Sequence, residues 1–141
     1  MRALTLSVLV VADDRDYAHA TATLLRLSGY HVAAARTGED ALFQAAEQAP
    51  DVVLLDLALP DVDGYELAER LRGLCAAKPP FVVAISAFGR DEGRVRPSKA
   101  GIDLYMVKPV APAALLRVLG QFEVAADVSG RADAKRTVLP D

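Results

Sequence analysis

The stretch 51–66, D-V-V-L-L-D-L-A-L-P-D-V-D-G-Y-E, constrains the chain more than any other. Val52, Val53, Leu54 and Leu55 make an apolar, partly β-branched run that stops on Asp56. Such a run reads as a strand buried on both faces, inside a parallel sheet, delivering a carboxylate at its carboxyl end. A lone buried carboxylate is costly, so Asp56 needs a cation, a hydrogen-bond cradle or a chemical use. The chain then turns at once. Pro60 fixes one φ, Asp61 and Asp63 are turn residues, and Gly64 permits a positive φ before Tyr65 starts a helix. Strand, acid, short loop and helix have the layout of a site.

The rest of the chain repeats that alternation. Residues 6–11 suit a first strand, followed by Asp13-Asp14 and a helix with Tyr17, Ala20, Leu24 and Leu27 at helical spacing until Gly29 stops it. Residues 31–35 read as a short second strand. Thr37 with Asp40 three places on has the form of a capping box, opening a helix that Pro50 ends. The helix after Gly64 buries Leu67, Leu71 and Leu74 and stops before Pro79-Pro80. A fourth strand over 81–85 finishes on Ser86. The helix expected over 91–100 carries Pro97, which predicts a short, kinked or displaced element. A fifth strand over 104–107 ends on Lys108-Pro109, and Pro112 opens a last helix with Leu115, Val118, Leu119 and Phe122 on one face. From Glu123 the periodicity fades, so 123–141 is expected to be a flexible tail or the start of a linker.

Composition narrows the class. A chain of 141 residues, 52% hydrophobic and 25% charged, fits one domain with a real core. A net charge of −3 argues against a broad nucleic-acid surface. No apolar run reaches the roughly 20 residues a membrane span needs. Arg2 and the apolar residues after it have the outline of a short signal peptide, but cleavage near Ala12 would remove the first strand. The single Cys75 cannot pair within the chain and reads as packing, in a reducing compartment.

Five βα units in series, with strands apolar on both faces, imply an α/β fold: a doubly wound parallel sheet with helices on both sides. Ligands of such folds bind at the carboxyl ends of the strands. There this chain places Asp13 and Asp14, Asp56, Ser86 and Lys108. Three carboxylates within a few ångströms repel by about 4 kcal/mol per close pair at an effective dielectric of 20, which calls for a hard cation such as Mg²⁺. A cation, an ammonium and a hydroxyl facing one carboxylate are equipment for holding a phosphoryl group, with Asp56 as nucleophile.

These residues carry a resemblance. Asp13-Asp14, D-L-A-L-P-D-V-D-G around Asp56, Ser86-Ala87 and Lys108-Pro109 together resemble a response-regulator receiver domain of two-component signalling, over residues 6–122. The resemblance implies a flavodoxin-like five-stranded sheet of order 2-1-3-4-5, with 1–122 as the receiver domain. It implies that Asp56 accepts a phosphoryl group from a sensor histidine kinase or histidine phosphotransfer protein. Asp13, Asp14, Asp56 and the Ala58 carbonyl would gather around Mg²⁺, with Mn²⁺ as a substitute. Lys108 and Ser86 would bind the phosphoryl group, Ser86 and Tyr105 would form a switch pair, and the Lys108-Pro109 bond would be cis. The output would pass to a downstream protein through the face made by the fourth helix, the fifth strand and the last helix. The setting would be cytoplasmic, without nucleic acid or membrane, and a homodimer stays open.

Two departures stand out. Leu59 replaces the usual methionine before the proline, and Pro97 falls on the output face. Phe88, two past Ser86, is expected to shield an acyl phosphate from in-line water. Singly, each residue has an ordinary use: Asp13 or Asp14 as a helix N-cap, Ser86 as a strand-end hydroxyl, Tyr105 as packing, Lys108 as a surface charge. His19 and His31 lie away from the acidic cluster. Two other functions stay open, an interaction module that is never phosphorylated and a Mg²⁺-dependent phosphohydrolase. The second lacks its usual second acid, whose place is Ala58. With 19 residues after Phe122, no further domain with its own core is expected to follow.

Overall fold

The computed structural model describes residues 6–75, 77–86 and 101–129, with the side chains of 125–129 left aside. The five strands are β1 (Ser7–Val11), β2 (His31–Ala35), β3 (Val52–Asp56), β4 (Phe81–Ser86) and β5 (Leu104–Val107). All pair in parallel, in the order β2-β1-β3-β4-β5. Among the described residues the helices are α1 (Arg15–Leu27), α2 (Gly38–Gln48), α3 (Gly64–Leu74) and α4 (Pro112–Ser129). The stretch 91–100 with Pro97, and Phe88, lie outside the described residues.

Strand periodicity divides the core into two layers. Leu9, Val11, Val53, Leu55, Val82 and Ala84 face α2 and α3, where Ala41, Ala45, Leu67 and Leu71 meet them. Val8, Val10, Val52, Leu54, Val83 and Ile85 face α1 and α4, against Ala18, Ala22, Leu25, Leu115 and Leu119. Every residue of β3 is buried, and Asp56 is only 5% exposed. The central strand is therefore held on both faces, and its acid sits at the sheet edge with little freedom.

Short polar side chains organise the loops. Asp14, Thr37 and Asp63 cap α1, α2 and α3, accepting from the backbone N–H of Tyr17, Asp40 and Tyr65. Asp51 Oδ2 accepts from Ser7 N–H at 2.8 Å, and Asp103 Oδ2 from Val82 N–H at 2.8 Å, so two acids close the starts of β1 and β4. Gly29 ends α1 with φ +100°, the left-handed conformation glycine adopts without penalty.

Two expectations need correction. Gly64 does not take a positive φ; it is required for space, because a Cβ there would lie 2.9 Å from Leu57 Cα. The last helix does not end at Phe122 but runs through Ser129. Phe122 stacks on Phe81 with centroids 5.0 Å apart, and Tyr30 O–H donates to Glu123 Oε1 at 3.2 Å. The helix is thus tied to the sheet at the point where its apolar stripe fades, and extending an anchored helix needs no new nucleus.

Candidate functional site

At the carboxyl edge of the sheet, β1 and β3 lie side by side, with Val11 opposite Leu55. The chain leaving β1 therefore brings Asp13 and Asp14 to the same edge as Asp56. On the other side β4 pairs with β3, Asp56 opposite Ile85, so Ser86 ends the neighbouring strand. Lys108 follows β5, its N–H donating to Ser86 carbonyl oxygen at 2.8 Å, and its peptide bond to Pro109 is cis.

The Asp56 carboxylate is held at both oxygens. Ala58 N–H donates to Oδ1 at 2.9 Å, and the Lys108 ammonium donates to Oδ2 at 2.7 Å. The side chains are unequally buried, Asp56 at 7% exposed and Lys108 at 36%, so the pair joins a buried anion to a lysine that reaches in from solvent. Two donors answer the cost of burying Asp56, one a neutral backbone amide and the other a full ammonium. The Lys108 Nζ also lies 5.8 Å from the centroid of the Tyr17 ring.

Ser86 is 3% exposed, and its hydroxyl is buried without a hydrogen-bond partner among the described residues, as is the hydroxyl of Tyr105. Buried hydroxyls are normally satisfied, so these two mark a place where an additional polar group is accommodated. Tyr105 turns toward the α2/α3 layer, its ring 6.5 Å from that of Tyr65. Ser86 and Tyr105 fall on the same face of the sheet by register, with Ala84 opposite Tyr105 and Ser86 opposite Val107.

The three acids share this edge without closing on one another. Among the described residues no group of three His, Cys, Asp or Glu side chains is arranged around a common point. Asp13 and Asp14 are exposed, and Asp14 Oδ1 is engaged by Tyr17 N–H at 3.1 Å. Like charges in water with a helix terminus to satisfy have a better use than crowding one another. The donor set nonetheless suits a hard divalent cation: it is all oxygen, carboxylate and carbonyl, at one sheet edge, with no sulfur or imidazole.

Two participants were not visible in the sequence. Asp61, read as a turn residue, accepts the Gly38 N–H with both carboxylate oxygens at 3.0 Å, fastening the loop after β3 to the N-terminus of α2. Tyr17 was read only as part of a helical stripe. An aromatic at the third position of a helix that opens at a strand edge was the available signal, but its contact with Lys108 joins segments 91 residues apart, after β1 and after β5.

The comparisons with known proteins agree with this fold. The response regulator receiver domain family matches residues 8–120. An uncharacterised 14.6 kDa protein of Leptolyngbya boryana is 32% identical over 117 residues, covering 83% of this chain and 89% of that one. The transcriptional regulatory protein PrrA of Mycobacterium tuberculosis is 40% identical over 109 residues, covering 77% of this chain but 46% of PrrA. The chain thus spans less than half the length of that regulator. Among solved structures, a CheY-like receiver domain protein of Methanospirillum hungatei superposes with a TM-score of 0.81 at 28% identity, over 89% of this chain and 99% of the other. With that family's model matched over residues 8–120, the chain belongs to the response-regulator receiver domain family.

Proposed function

We propose that this chain is a phosphoacceptor switch in which Asp56 takes a phosphoryl group from a histidine kinase or a histidine phosphotransfer protein. Receiver domains are signalling domains of two-component systems rather than conventional enzymes, and they interact with histidine kinases and downstream effectors. The observation that carries the reading is the 2.7 Å contact between Lys108 and Asp56 beside the unpartnered hydroxyl of Ser86.

The chemistry follows from these groups. Ala58 N–H and Lys108 fix the orientation of the Asp56 carboxylate, so an oxygen can attack phosphorus in line with the donor's P–N bond. The O–P bond forms as the P–N bond breaks, and the donor imidazole keeps the electron pair and takes up a proton. Negative charge then moves from the carboxylate onto the phosphoryl oxygens. Lys108 can follow it, and the Ser86 hydroxyl supplies a donor that needs no partner to be displaced. Asp13, Asp14, Asp56 and the Ala58 carbonyl would hold Mg²⁺ or Mn²⁺. Such a bound cation screens the charge on the transferred oxygens. Tyr105, sharing a sheet face with Ser86, would report the change to the surface around β5 and α4, where a downstream protein docks. Among the described residues no helix is long and apolar enough to cross a membrane.

The test is incubation with acetyl phosphate and Mg²⁺, read by intact mass and peptide mapping. One phosphoryl group on Asp56, absent from Asp56→Asn and absent after chelation of Mg²⁺, is the expected result. Labelling of equal yield in Asp56→Asn would overturn the assignment, and no gain in the wild type would favour an interaction module that is never phosphorylated.

A further inference from the structure

The Lys108 ammonium has a second neighbour that the phosphoacceptor chemistry leaves unused. Its Nζ lies 5.8 Å from the centroid of the Tyr17 ring, inside the range over which an ammonium is attracted to an aromatic face. Tyr17 is well fixed for that role. It stands in the first turn of α1, its backbone N–H is held by Asp14 Oδ1, and its half-buried ring packs against the α1/α4 core layer. The lysine is less constrained, with over a third of its side chain exposed and a flexible stem.

This asymmetry matters once Asp56 is modified. Forming the acyl phosphate moves the negative charge from the carboxylate that seats Lys108 to the phosphoryl oxygens, so the ammonium must leave one anionic contact and take up another during the step that needs it most. A long side chain released from its partner regains rotamer freedom, which opposes ordered contact with the phosphoryl oxygens. The ring face does not change charge. We infer that Tyr17 is a positioning residue for Lys108, offering the ammonium a seat that persists when the Asp56 carboxylate is consumed; the inference rests on Asp56 being the acceptor.

The experiment separates that role from packing and from the acceptor reading. In the unphosphorylated protein, the Lys108 ε-methylene resonances should carry an upfield ring-current shift that persists in Tyr17→Phe and is lost in Tyr17→Leu and Tyr17→Met. With Mg²⁺ saturating, the initial rate of acetyl phosphate labelling should fall roughly two- to fivefold in the Leu and Met variants, the size of a partly exposed cation–π contact, and recover in Phe. In a Lys108→Ala background, adding Tyr17→Leu should change the rate no further. An unmoved Lys108 resonance in both apolar variants, or an equal rate loss in the Lys108→Ala background, would overturn the inference. Should wild-type Asp56 take no label, the acceptor reading fails, and the resonance shift alone decides whether Tyr17 seats Lys108.

Discussion

Both carboxylate oxygens of Asp61 lie 3.0 Å from the backbone nitrogen of Gly38, so an acid in the loop after the acceptor strand closes the N-terminus of a different helix. The contact is tight on the glycine side, where a Cβ would run into Val62 Cγ1. That loop also carries Ala58, whose N–H orients Asp56. Removing the acid with Asp61→Ala should cost about 1 kcal/mol, as loss of a helix cap does. Amide exchange at Gly38 should quicken in the variant while the core strands stay protected. Unchanged protection at Gly38 would show that the carboxylate is not what holds the two segments together.

The Lys108 contact with Asp56 makes a second prediction, about stability. Lys108→Ala leaves Asp56, a residue only 5% exposed, with the Ala58 N–H and, among the described residues, no cation. Loss of a partner from a fully buried pair costs about 3–5 kcal/mol, but this lysine is solvent-accessible, so about 1–2 kcal/mol is expected. Asp56→Asn in the Lys108→Ala background should recover most of it, because the neutral amide needs no counter-charge. Denaturant melts of the four proteins form a double-mutant cycle, and purely additive losses would rule out an energetic coupling between the two residues.

The strands were legible because burial on both faces forces continuous apolar runs, and the residues at their ends were legible because polar groups there are unusual. Asp56, Ser86 and Lys108 fall where that logic puts them. What the sequence could not carry was partnership across the fold. Asp61 and Gly38 are 23 positions apart, and nothing local distinguishes a turn aspartate from one that caps a distant helix. The acidic trio shows a second kind of partnership that the sequence does not carry. Three carboxylates at one edge suggested a closed cluster, but Asp14 spends an oxygen on Tyr17 N–H. The end of α4 was missed because amphipathic periodicity stops near Phe122, whereas the helix is carried on by the Tyr30 contact with Glu123.

That contact predicts an alkaline weakening. Burial, then the Glu123 charge, then the hydrogen bond push the Tyr30 phenol up to about 12 from an ordinary 10.0. A folded-state pKa above the unfolded one means the contribution is complete below pH 10.0 and disappears as pH rises toward about 12. Wild-type stability should therefore fall more steeply than that of Tyr30→Phe over that window, since the phenylalanine has no proton to lose. Parallel slopes for the two proteins would mean that the phenol does not link α4 to β2.

The final prediction concerns the end of α2, where Ala49 adopts φ 46° and ψ 70°, the left-handed region that L-residues enter at a cost. Pro50 forces the exit, because its ring disfavours a right-handed helical conformation in the residue before it. The Ala49 N–H still donates to the Ala45 carbonyl at 2.8 Å, so the residue closes the helix, and its side chain is exposed. Ala49→Gly removes the steric penalty and loses no buried contact, against the greater freedom glycine brings to the unfolded chain. The balance is a gain of about 0.5–1 kcal/mol, or about 2–4 °C in Tm. Gly29 provides the converse, since it holds φ +100° with nothing within 4 Å of a Cβ built there. Gly29→Ala should thus destabilise through backbone strain alone. Thermal melts that move in opposite directions for the two variants are the expected outcome, and a lower Tm for Ala49→Gly would show that the left-handed alanine is not a source of strain.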